Sequence, residues 1–107
     1  MEIYEALKKS IEDADKNYEK NKDDSFLSVI YAHKKQKLEN ILSQLEHVPD
    51  PRCLLQELRQ ELKRLSRLAE EEEHRPTFDW YGEHYWETVY MGEIDGCKEA
   101  VSILETF

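Results

Sequence analysis

In the first half of the chain, apolar positions recur at alternating intervals of three and four, the period of one face of an α-helix. Tyr4, Leu7, Ile11, Ala14 and Tyr18 make the first stripe, flanked on the polar side by the supporting pairs Glu5/Lys9 and Glu12/Lys16. This predicts a helix over about 2–22. The polar stretch Asn21-Lys22-Asp23-Asp24-Ser25 interrupts it, and a second stripe, Leu27, Tyr31, Lys34, Leu38, Ile41 and Leu45, starts two positions out of phase. A break is therefore expected, followed by a second helix over about 25–47 with Asp24 or Ser25 as its cap. Val48-Pro49-Asp50-Pro51 stops that helix and starts a third, 51–73, with Asp50 as cap and Pro51 at the first helical position. Leu55, Leu58, Leu62, Leu65 and Ala69 keep heptad spacing along it. A short turn between two such stripes implies an antiparallel helical hairpin.

The third helix is expected to fray through Glu70-Glu71-Glu72-Glu73 towards Arg75-Pro76, because four carboxylates at a helix C-terminus oppose its macrodipole. The aromatic connector 76–82, with Phe78, Trp80 and Tyr81, suits a short strand or a loop leading into a helix, and the loop is favoured. A last helix over 83–106 carries a wide apolar face. Tyr90, Ile94, Cys97, Val101 and Leu104 form one stripe, and Val89, Gly92, Gly96, Ala100, Ile103 and Phe107 form its neighbour. Gly92, Gly96 and Ala100 stand at successive i+4 positions, where small residues let another helix approach closely. That helix belongs either to the same chain or to a second copy across a homodimer seam. The expected fold is all-α: one domain, 1–107, built as a small bundle of about four helices around a central hairpin.

With 36% charged and 39% hydrophobic residues at regular spacing, the chain carries enough apolar surface to fold. Its net charge of −9 argues against direct binding to nucleic acid or to an anionic membrane. No apolar run is long enough for a signal sequence or a membrane span, so a cytoplasmic protein is expected. Cys53 and Cys97 lack ligand or CxxC spacing and read as small, mostly buried hydrophobes. Charge is distributed in blocks: residues 25–67 sum to +3, whereas 68–107 hold eleven acids against Arg75 and Lys98. The basic middle, with Lys34, Lys35, Lys37, Arg52, Arg59, Lys63, Arg64 and Arg67, either pairs with acids of the last helix or forms a second contact patch.

Catalytic signatures fail on inspection. Glu71 and His74 make a single Glu-x-x-His match, whereas a carboxylate di-iron bundle needs two plus further glutamates. His84 with Asp79, Glu83 or Glu87 does not close a ligand set. Glu2, Glu5, Glu12 and Asp15 imitate the letters of a magnesium-binding pyrophosphatase but fall on one helix. His33 and His47 lie on mixed polar surfaces. No metal, no cofactor and no enzymatic activity are expected.

What remains is the acidic, aromatic end of the chain. Glu70, Glu71, Glu72, Glu73, Asp79, Glu83 and Glu87 surround Trp80, Tyr81 and Trp86, and such a set suits occupation of a basic groove: carboxylates steer the approach and large rings supply contact area. Residues 85–101, with an aromatic start leading to Gly92-x-x-Asp95-Gly96-x-x-x-Ala100, resemble the closing helix of short phage and prophage accessory proteins. The resemblance implies a mobile-element protein that works by binding, such as an anti-CRISPR or an inhibitor of another host nucleic-acid enzyme, some of which imitate nucleic acid. The expected function is thus an inhibitor or adaptor whose partner is a protein with a basic surface. The alternative is a homo-oligomeric assembly protein of a phage or bacterium, packing through Gly92, Gly96 and Ala100.

Overall fold

The structure, a computed structural model, describes residues 2–48, 50–74 and 85–106. They form four helices and no strand: α1 (Ile3–Lys20), α2 (Leu27–His47), α3 (Pro51–Glu73) and α4 (Tyr85–Thr106). The connector 76–82 and Phe107 lie outside the described residues.

Local chemistry sets the boundaries. Asn21 ends α1, its N–H donating to the carbonyls of both Asn17 and Tyr18 at 3.1 Å. One Asp24 carboxylate oxygen accepts the N–H groups of Phe26 and Leu27 at 2.8 Å, so of the two expected caps it is Asp24 whose side chain ties down the turn before α2; Phe26 takes the N-cap position and the helix begins at Leu27 instead of 25. These backbone bonds hold the Asp24 pKa below its ordinary value. Asp50 caps α3 by accepting the Arg52 N–H at 3.0 Å, with Pro51 in the first turn.

Cross-helix pairs give the directions. Tyr4 donates to the Leu45 carbonyl and Lys35 pairs with Asp15, so α1 and α2 run antiparallel. Lys37 with Glu61 does the same for the α2–α3 hairpin, and Arg59 with Glu105 places α3 and α4 nearer opposite ends. The four helices therefore alternate up and down. Its hairpin arms are splayed: α2 and α3 touch narrowly, and α4 is seated against both. The diagonal pair α2 and α4, which run parallel, thus forms the broadest seam, and the molecule measures 43 × 30 × 20 Å.

That short diagonal depends on two missing side chains. A Cβ added at Gly92 would stand 2.5 Å from the Ile30 carbonyl oxygen, and one at Gly96 would stand 3.1 Å from the Lys34 carbonyl oxygen and from Lys37 Cβ. Ala100 is fully buried. Gly92 and Gly96 thereby face α2 of the same chain, and Ala100 lies in the core. Of the two readings of these small residues, Gly92 and Gly96 take the one within the chain.

The core joins Leu7, Leu38, Ile41, Leu45, Leu54, Leu58, Leu65, Cys97, Ala100 and Leu104, and each full-sized aliphatic side chain contributes about 1.5–3 kcal/mol by leaving water. Leu54 is more buried than the expected Leu55, since a true helical period drifts from a strict heptad over three turns. Burial of Ser10 was hidden by its polarity; its hydroxyl donates to Glu99 at 2.7 Å. Cys97 is buried as expected, and burial pushes its thiol pKa up to about 11. Cys53, also expected to be buried, is instead exposed on α3, one residue before the buried Leu54 and so off the core-facing side of the helix.

Candidate protein-binding face

Antiparallel packing of α3 and α4 brings the end of one to the start of the other, which collects the described part of the acidic, aromatic set at one end of the bundle. Glu73 and Glu87 line a hollow of about 470 Å³ together with Phe26, Thr88 and Met91. Glu70 and Glu71 border a second hollow with Arg67 and His74. Glu72 is half-buried, and both it and Glu87 are engaged in interactions of their own. The last turn of α3 has no basic residue, so its four glutamates face the negative end of the helix dipole uncompensated by that turn.

Trp86 is 42% exposed, its indole held edge-on to Tyr85 at a centroid distance of 5.3 Å and 79° between planes. Asp79, Trp80, Tyr81 and Glu83, the remaining members of the sequence-derived site, lie outside the described residues.

Two exposed apolar side chains belong to this end and were not anticipated: Phe26 at 47% and Met91 at 41%. Phe26 could have been found, because it directly precedes the core stripe of α2 and so falls off its buried face. Met91 sits between core positions 89 and 92 with no signal of its own. From Met91 an apolar groove of about 440 Å³ continues between α2 and α4.

The basic middle is largely consumed by ion pairs within the chain. Lys34 reaches into the α2–α4 seam, with Nζ 2.6 Å from Glu99 and 3.3 Å from Asp95. Burial alone would lower its pKa, but the two carboxylates outweigh that and hold it above the ordinary lysine value. Burial likewise favours a protonated Glu99, and the hydrogen bonds from Lys34 and Ser10 reverse the balance, leaving its pKa lowered. Lys35 meets Asp15, Arg59 meets Glu105, and Lys37 and Arg64 share Glu61. The ion-pair reading of this block holds for these residues, although Lys35, Lys37 and Arg64 find their acids on α1 and α3, not on the last helix.

Among the described residues no three His, Cys, Asp or Glu side chains converge as a metal would require, and Glu71 and His74 are exposed at the end of α3. Glu5, Glu12 and Asp15 share α1, with Glu2 at its cap, so they cannot face one another across two helices. Among the described residues no helix is long and apolar enough to cross a membrane.

The fold thus defines a small up-down-up-down helical bundle with a shortened diagonal. Comparison of the chain with protein-family models, with curated proteins and with solved structures finds no match.

Proposed function

We propose that the protein is a non-enzymatic inhibitor or adaptor that uses its acidic, aromatic end to engage a basic groove on a nucleic-acid-handling protein. The observation that carries this reading is the gathering of Glu70, Glu71, Glu73 and Glu87 with the exposed rings of Phe26 and Trp86 at one end of the bundle. Long-range attraction from the acids raises the encounter rate, and the rings anchor the complex. By its resemblance to phage accessory helices, the protein is phage-encoded and acts in the host cytoplasm, with a defence nuclease as the type of target. The acids then stand where phosphates would otherwise bind.

Affinity capture of host lysate on the immobilised chain, with mass spectrometry, tests the reading. The expected result is a protein whose retention falls steeply with salt and is competed by DNA or RNA. Glu87→Lys should slow its association, and Trp86→Ala should cost roughly 2 kcal/mol or more through faster dissociation. A captured partner indifferent to salt, to nucleic acid and to both substitutions would show that the acidic end is only a solvated surface.

A further inference from the structure

The four helices contribute unequally to the core. Among its buried members α2, α3 and α4 each supply three, Leu38, Leu58 and Cys97 among them, whereas α1 supplies Leu7 alone. The other buried positions of α1 are Ala6, Ser10 and Ala14, short side chains that remove little apolar surface from water, and its Ile3 and Ile11 are only partly buried. Polar ties supply much of the remaining attachment. Ser10 donates to Glu99 of α4 at 2.7 Å, and Tyr4 donates to the Leu45 carbonyl at 3.4 Å, beyond the usual range for a hydroxyl. Asp15 meets Lys35 at 2.9 Å with both side chains more than a third exposed, where an ion pair contributes little. At the N-cap of α1, Glu2 makes no side-chain bond to the helix.

We infer that α1 is a detachable strap, which undocks as a unit at a lower free energy than global unfolding while α2, α3 and α4 stay folded together. The pattern of contacts decides what survives the opening. Among the described residues α1 touches α2 and α4 but not α3, so its departure leaves the broad α2–α4 and α3–α4 seams in place, along with every buried core member except Leu7. Asp24 anchors the start of α2 through bonds within its own turn, and α2 keeps that anchor when α1 leaves. Regions with few buried apolar side chains open first. Once undocked, the 18-residue α1 loses the packed face that supports it, and a lone helix of this length and mixed composition is marginal in water. The opening frees Glu99 from Ser10 and uncovers apolar surface on α2 and α4, so α1 acts as a gate on that side of the bundle.

Native-state hydrogen exchange on the full chain tests this. It is read at mid-α1 amides, Ile11 to Ala14, where end fraying does not contribute, and at the slowest amides of α2, α3 and α4. The α1 amides should be protected at least about a hundredfold less than the slow set. They should also respond weakly to low urea, since undocking exposes only part of the surface that global unfolding does. Leu65→Ala is the discriminating variant, because it destabilises the three-helix remainder without altering the undocking of α1. The slow amides of α3 and α4 should lose protection about thirtyfold or more, and those of α1 should stay within about twofold. Leu62→Ala, at a partly buried position, gives the same comparison with a smaller loss should Leu65→Ala fail to fold. Ser10→Ala should lower protection in α1 and in the slow set together, by about tenfold, since both openings break the bond to Glu99. Equal protection and equal urea response in all four helices, opening of α3 before α1, or losses in α1 that match those of α3 in the leucine variants would each overturn the strap.

Discussion

The two ends of α4 do opposite things with the same helix. Along its Gly92, Gly96 and Ala100 side it is closed: backbone nearly touches backbone at Gly92, Ala100 and Cys97 are fully buried, and Lys34 reaches two carboxylates across the seam. Around its first two turns it presents Trp86 and Met91 to solvent beside the glutamates of α3. Burial is concentrated at the first region, and the recognition proposed above would fall to the second. Substitutions in the two should therefore separate cleanly into those that unfold and those that only disarm.

The largest effect is expected at Gly92. A leucine there has to push α2 away through the Ile30 carbonyl, which should cost about 3 kcal/mol or more and lower the melting temperature by upwards of about 10 °C. Cys97 reports the same event. In the native chain a thiol reagent should label Cys53 quickly and Cys97 only on unfolding, since Cys97 is buried with its pKa raised to about 11. Native labelling of both thiols at equal rates would show the seam to be open.

Gly96 gives a graded comparison, because a Cβ there meets its neighbours at 3.1 Å instead of 2.5 Å. Gly96→Leu should cost roughly 1–3 kcal/mol. Gly96→Ala should stay within about 1 kcal/mol of the native chain, as gained helix propensity offsets the small shift required of Lys37. If the alanine variants at 92 and 96 melt alike, the close approach at Gly92 is not what limits the seam.

Next comes the ion cluster. Glu99 has a lowered pKa, so its contribution to stability is present above the unfolded value of 4.5 and is lost as pH falls through the lower folded value. For Lys34 the sign is opposite: its raised pKa contributes below 10.5 and is lost as pH rises past the folded value. Lys34→Met should destabilise by roughly 1–2 kcal/mol at neutral pH, with the deficit shrinking below about pH 4.5 as Glu99 is protonated in both states. A pH-independent deficit would assign the loss to packing of the lysine stem.

The smallest effect on stability, and the sharpest test of the division, is Glu71→Lys. Placing a cation in the last turn of α3 should leave stability unchanged or raise it by about 0.3–1 kcal/mol, while weakening capture of a basic partner. A variant that loses both stability and binding would show that the glutamates support the fold.

Much of this fold was readable in advance. Asp50 and Pro51 announce the start of α3 because capping and fixed φ are local effects, and the stripes of α1, α2 and α4 identify the buried face of each helix. Periodicity does not say which helix each face meets. Nothing local distinguishes α4 lying beside the hairpin from α4 spreading its arms, and the difference was set by whether Gly92 and Gly96 turn to α2 or to another chain. Lys34 sat openly within an apolar stripe, but its two carboxylates are more than sixty residues away in sequence. Of the candidate site, the clustering of Glu70–Glu73 with Trp86 and Glu87 could be read from proximity to one chain segment. Phe26 and Met91 joined it only through tertiary packing, which composition does not encode.

Gly92 also fixes the calibre of the groove beside it. The Ile30 whose carbonyl rests on Gly92 is the same residue whose side chain lines the groove, so the distance between the walls is set by a methyl group that is not there. Each small residue along this stripe acts as a spacer of defined thickness. Exchanging glycine for alanine would then change the spacing of α2 and α4 without touching any residue that lines the cleft.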